Sequence, residues 1–244
     1  MKNLMTQAKD TLREIPGVIT AIFILSVVLM NLFANKSLFN TPWLVCDAGT
    51  AISWIPFLCM DIVCKRFGAK AGVILNTFGM IISLAAGILM MVIIKIPGIW
   101  SASYDALDSA TSAAINTALD STFSSPWYII IGSAAAMFCG GAVNSAINKR
   151  VGTIVDNKHS YKGFLLRSGI STAIGQFVDN IVFATFVSLI FFGWTVKQVF
   201  ICSIFMMLVE LVFEMVFTPV GYLIIRMWER ENVGGAYRRK YMIQ

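Results

Sequence analysis

Apolar residues in this chain gather into runs too long to stay exposed in water. Six stand out: Val18–Phe33, Ala48–Cys64, Ala71–Ile94, Trp127–Ile147, Gly163–Phe192 and Gln198–Met227. A helix needs about 17–25 apolar residues to cross a bilayer. Its backbone polar groups must then be bonded within the helix, because lipid offers no partners. The expected fold class is therefore all-α: a polytopic membrane protein with six transmembrane helices. Only 13% of the 244 residues are charged, against about 25% in a soluble domain. No length is left for a separate soluble domain or a built-in ATPase. The first run lacks a small-residue cleavage site, so it is expected to be retained rather than removed as a signal peptide.

Lys and Arg set the orientation. Lys36, Lys95 and Lys197 fall on one side of the expected bundle, and the other sixteen of the 19 basic residues fall on the opposite side. Both termini are thus expected in the cytoplasm. Residues 1–17 form a cytoplasmic N-terminal segment, 18–227 the six-helix membrane domain, 97–126 an outer loop, and 228–244 a basic cytoplasmic tail. The outer loop carries Asp105, Asp108 and Asp120 and no basic residue. Its Ala/Ser/Thr-rich middle is expected to form a short surface helix that covers the bundle. The net charge of +6 reflects residues that flank spans, so no nucleic-acid partner is expected. The lipid bilayer is the expected surround.

Catalytic patterns are missing: no HExxH, no GxSxG and no GxxxxGK[ST]. The single His159 lies in a polar loop, and the five cysteines have no CxxC spacing. The chain is not expected to be an enzyme, and neither a metal site nor a cofactor is expected.

The chemistry concentrates in the fifth run, at Gly175-Gln176-Phe177-Val178-Asp179-Asn180. A charged side chain at that depth costs at least ~2.5–3.5 kcal/mol on insertion scales, and such groups usually mark a substrate or ion path. Gln176, Asp179 and Asn180 are three and four residues apart and share one helix face. The sixth run adds Glu210 and Glu214, one turn apart. With Asp179 they form a candidate site that takes a proton or holds a cationic ligand; a salt bridge to a basic residue is the structural alternative. Arg167, near the cytoplasmic end of the fifth run, is the basic residue within it. Asp61 lies near the cytoplasmic boundary of the second run and is expected to pair with Lys65 or a basic loop residue. Asp61 and Arg167 are read as gating or structural. Trp54 offers a ring for a planar ligand, and Asn35 closes the first run on the outer side. Pro56 removes one hydrogen bond from the second run. Asn76 and Asn144 are expected to join helices.

These residues resemble the vitamin uptake transporter (VUT) family, which includes the queuosine-precursor transporters. Asn35-Lys36 is similar to the family's Asn-Lys after the first helix. Gly49, Asp61 and Phe67-Gly68 resemble its Gly, Asp and aromatic-Gly pattern. Arg167, Ser171, Gly175, Gln176 and Asp179 resemble its fifth helix, and Glu214, Thr218-Pro219 and Tyr222 its closing helix. The chain departs where many members carry Glu at Lys65, Lys at Glu210 and Pro at Trp54. The resemblance implies import of a queuosine precursor, that is queuine or 7-cyano- or 7-aminomethyl-7-deazaguanine, across a prokaryotic plasma membrane. The implied partner is this small deazapurine substrate, with the protein acting alone or as a small homo-oligomer. The alternative is a substrate-binding subunit of an energy-coupling-factor importer. An ATPase module ranks lower, because the first run lacks the AxxxA docking motif.

Overall fold

The computed structural model describes residues 2–100, 106–124, 127–154, 161–191 and 193–242. His159 and, in the expected outer loop, residues 101–105 (with Asp105) and 125–126 lie outside the described residues.

Helix α1 (Lys2–Glu14) and helix α2 (Gly17–Phe33) meet at a bend of 103°. Pro16 explains the break: it lacks an N–H, and it precedes α2 in an extended conformation (φ −54°, ψ 129°). A two-stranded antiparallel hairpin follows, β1 (Ser37–Asn40) and β2 (Val45–Asp47), with Ser37 opposite Asp47. The sequence reading contained no hairpin. Its turn is closed by Thr41, whose hydroxyl donates to the Leu44 carbonyl (2.8 Å) and accepts the Leu44 N–H (3.0 Å).

Helix α3 (Thr50–Phe67) is the centre of the bundle. It touches α2 and every long helix that follows it, and its buried residues lie on all sides, from Trp54 to Phe67. A helix enclosed all round needs no lipid-facing stripe, so α3 can carry Asp61, Lys65 and Arg66. It continues through Pro56 as one helix. Gly68 stops it at φ +87°, a conformation that L side chains rarely adopt. Helix α4 (Ala69–Ile93) starts directly after it.

Helix α5 (Ser109–Ser124) forms where the Ala/Ser/Thr-rich loop was expected to be helical, and it buries none of its residues. Asp108 caps it, accepting from the Ala110 and Thr111 N–H groups. Helix α6 (Trp127–Ile154) and helix α7 (Tyr161–Phe183) pack side by side. Residues Ala184–Leu189 continue α7 as a π-helical turn. Helix α8 (Val196–Arg230) opens with a capping box between Thr195 and Gln198. Helix α9 (Gly235–Tyr241) folds back against α1, where Thr11 donates to the Tyr237 hydroxyl (3.1 Å).

Among the described residues, three helical stretches are long and apolar enough to cross a membrane: Ala69–Ile93, Tyr161–Leu189 and Val196–Arg230. The bent α1–α2 pair, taken as one span, makes a fourth. Helices α3 and α6 occupy the positions of the second and fourth expected spans but are more polar, because they face other helices. Large apolar side chains point outward along α4 and α8, among them Ile88, Val92, Leu208, Val216 and Leu223. That band suits acyl chains rather than water. The fold is all-α with one small hairpin.

Candidate functional site

Three helices supply polar residues at a spacing of four. On α7 these are Ser168, Thr172, Gln176 and Asn180; on α8, Glu210 and Glu214; on α3, Ser53 and Asp61, with the apolar Phe57 midway between them. Residues four apart follow one another along one face, so the facing stripes pair level by level.

At the lowest level Asp61 is fully buried and is approached by five donor side chains, Ser171 at a longer 3.4 Å. Asn144 and Asn148 of α6 donate to Oδ1 at 3.0 and 2.8 Å. Ser168 and Thr172 of α7 approach Oδ2 at 2.5 and 3.3 Å. The same two hydroxyls lie 2.8 and 2.6 Å from Glu214 Oε1 on α8. One pair of hydroxyls therefore bridges the carboxylates of α3 and α8. Arg167 reaches Asp61 indirectly: its Nε donates to Asn148 Oδ1 at 2.6 Å. The partners of Asp61 come mainly from α6 and α7, where the sequence had suggested Lys65 or a loop.

At the highest level Glu210 is buried and accepts from Ser53 of α3 in a short contact and from Asn180 of α7 at 2.9 Å. Among the described residues, the partners of the two α8 carboxylates are hydroxyls and an amide.

The middle level is different. Gln176 is fully buried, and neither its Nε2 nor its Oε1 has a hydrogen-bond partner among the described residues. Glu214 Oε2 is likewise buried and unpartnered. Asp179, half-buried, has no hydrogen bond among the described residues. Two glycines make this level tight. A Cβ on Gly140 would lie 2.6 Å from the Asp179 Cβ, and one on Gly175 would lie 3.1 Å from the Phe57 ring. The α6 and α7 backbones thus pass as closely as glycine permits, and Phe57 packs at the level of Gln176.

A cavity of about 730 Å³ opens at the hairpin end of the bundle. The hairpin, the π-helical turn and the start of α8 form its walls; Asn35, Asp47 and Asn180 are among its polar lining. Asn180 is thus shared between the cavity and Glu210. A second cavity of about 630 Å³ lies at the opposite end, lined by the end of α3, the starts of α4 and α7, and α9. Arg167 lines it. The polar levels run between the two cavities.

A family model described as "Putative vitamin uptake transporter" matches residues 47–224. The chain belongs to this family. The match begins in β2 and ends in α8, so all three polar levels lie inside it. A family of membrane uptake transporters fits a bundle whose buried chemistry joins two opposed cavities. No curated protein and no solved structure matches the chain.

Of the residues singled out from sequence, the structure brings Gln176, Asp179, Asn180, Glu210, Glu214, Asp61 and Arg167 into one column. Asn35 lines the hairpin-end cavity, and its amide donates to the Leu32 and Thr122 carbonyls. Trp54 is buried with its ring stacked on Phe217 at 4.5 Å between centroids, and its indole N–H donates to the Ala51 carbonyl. Asn76 donates to the Met137 carbonyl across α4 and α6. The sequence reading missed Ser53, Phe57, Asn148, Ser168 and Thr172. The spacing of four from Ser53 through Phe57 to Asp61, and from Ser168 to Gln176, is the signal that finds them.

Proposed function

We propose that this family member imports a queuosine precursor, a 7-deazaguanine, and holds it at the middle level between Glu210 and Glu214. The observation that carries this reading is Gln176. A carboxamide buried with both polar atoms unpaired costs about 1–3 kcal/mol or more, and buried polar groups are nearly always bonded. A planar ligand with donors and acceptors side by side removes that cost. The guanine-like edge offers adjacent N–H groups to one carboxylate, for which Asp179 is the nearest uncommitted acceptor. Gln176 supplies the neighbouring donor and acceptor. Phe57 supplies an aromatic face at the same level, a part that Trp54 takes only by leaving Phe217. An aminomethyl substituent brings a cation, for which Glu214 Oε2 is the available counter-charge.

In this reading the chain crosses the plasma membrane of a prokaryote six times with both termini cytoplasmic, and α3 and α6 are the two enclosed spans. The substrate enters through the hairpin-end cavity by way of Asn180. It leaves through the basic cavity at the other end, past Asp61 and Arg167. The test is queuosine in tRNA of cells unable to make the precursors, supplied with queuine or a deazaguanine. Queuosine appears when the chain is expressed and is absent without it. No queuosine despite normal membrane expression rejects the reading.

A further inference from the structure

The second cavity carries a charge imbalance that topology alone does not account for. Lys65, Lys70, Lys149, Arg167 and Arg238 line it, and the carboxylate in its lining is Glu229. Glu229 pairs with Arg226, and Lys240 with Asp10. Lys70, Lys149, Arg167 and Arg238 converge on a concavity whose described lining holds one acid, Glu229. Two guanidinium nitrogens at this end, Arg238 Nε and Arg66 Nη2, are buried without a hydrogen-bond partner. A bias of Lys and Arg toward one membrane face orients a chain. It requires neither convergence on a cavity nor buried guanidinium nitrogens without a partner. Gly152 adds a second sign of a built surface. A Cβ there would lie 2.8 Å from the Arg167 guanidinium, so the glycine leaves that group room beside α6.

We infer that this cavity is a binding site for a phosphate-bearing anion. Guanidinium and ammonium groups around a concavity suit phosphate oxygens, which accept several charge-assisted bonds at once. A volume of about 630 Å³ admits a phospholipid headgroup or a small soluble phosphate. Both present the same chemistry, and the cavity lies at the end the basic residues assign to the cytoplasmic leaflet, where anionic lipid is found.

The test is thermal unfolding of the purified full chain in nanodiscs. One arm uses phosphatidylcholine discs with rising inorganic phosphate or glycerol phosphate. The other replaces part of the phosphatidylcholine with phosphatidylglycerol. Lys70 and Lys149 are exposed, so Lys70→Gln with Lys149→Gln leaves the fold intact. Arg13→Gln with Arg239→Gln removes the same charge from exposed positions outside the cavity. Saturable stabilisation of the native chain is expected in at least one arm. The Lys70/Lys149 variant weakens it by roughly tenfold or more, and the Arg13/Arg239 variant leaves it unchanged. Stabilisation by phosphatidylglycerol alone identifies a headgroup site; stabilisation by added phosphate identifies a soluble anion. No saturable shift in either arm, or equal losses in the two variants, overturns the inference. Both arms are run without a deazaguanine, so failure of this inference is distinguishable from failure of the import reading.

Discussion

The lower and middle levels of the same polar column are built from similar residues but are satisfied to different degrees. At the lower level, Asp61 collects amides from α6 and hydroxyls from α7, and these hydroxyls also reach Glu214 of α8. Four helices are tied by one network. At the middle level, four residues along the same α7 face, Gln176 is equally buried but bonds to nothing described. The lower level behaves as a fastening; in the proposed reading the middle level is a receptor whose partner is not part of the chain. The lesson is that burial alone does not separate structural from functional polar groups in a membrane bundle. In the proposed reading, a side chain with every polar atom unpaired, as in Gln176, marks the functional level.

The largest effect is expected from breaking the fastening. Asp61→Ala leaves the Asn144 amide without an acceptor, at about 1–3 kcal/mol, and takes one of their partners from Asn148 and Ser168, so a loss of about 1–3 kcal/mol or more is predicted. Thermal unfolding in detergent measures it, with poor membrane yield as the accompanying sign. An Asp61→Ala protein as stable as wild type would show that the lower level fastens nothing.

Next comes a change at the middle level that spares the fold. Asp179 has no hydrogen bond to lose, so Asp179→Asn keeps folded protein near the wild-type amount. The carboxamide presents a donor where the ligand also presents one. Uptake is predicted to fall by about tenfold or more, read as queuosine in tRNA at matched expression. Unchanged uptake would move Asp179 out of the site.

The smallest effect lies outside both levels, where α9 meets α1. Lys240 and Tyr241 donate to Asp10 at 2.7 and 2.8 Å. The hydrogen bond from Lys240, then that from Tyr241, holds the Asp10 carboxyl below the usual carboxylate range. A depressed carboxyl stabilises the fold above its unfolded pKa and loses that contribution as pH falls through the folded value. The contact is solvent-screened. Asp10→Asn is therefore predicted to leave uptake unchanged at neutral pH and to shift unfolding only slightly. That small difference should vanish in strongly acidic buffer. A large loss of uptake would tie the termini to transport.

Much of the bundle was legible before the coordinates. Apolar runs predict where α2, α4, α7 and α8 lie, because lipid-facing stripes leave a strong compositional mark. The hairpin left none: strands of three and four residues between two apolar runs look like any polar connection. The π-helical turn at Ala184–Leu189 is equally silent, since its apolar composition suits either helix type. In the site, Asp179, Gln176 and Glu214 announced themselves as costly groups in an apolar setting. Ser53, Ser168 and Thr172 did not, because hydroxyls can bond back to the preceding turn and pass unnoticed in any helix. Phe57 was hidden among other aromatics; only its closeness to Gly175 sets it apart. The distinction between a bonded Asp61 and an unbonded Gln176 depends on contacts across four helices and is not written in the local pattern of any one of them.

Gln176→Met tests the central claim most directly, because methionine has nearly the same shape and no hydrogen-bonding need. The measurement is thermal unfolding of the purified protein, wild type and variant, with and without queuine, 7-cyano-7-deazaguanine and 7-aminomethyl-7-deazaguanine. A ligand that binds only the folded state raises its apparent stability. Wild type is predicted to be stabilised by at least one of the three. Without ligand, Gln176→Met should be as stable as wild type or more so, since a stranded carboxamide is gone, and its ligand-induced shift should be lost or greatly reduced. A variant that is less stable without ligand, or that keeps the full ligand shift, would contradict the assignment of the middle level as the receptor.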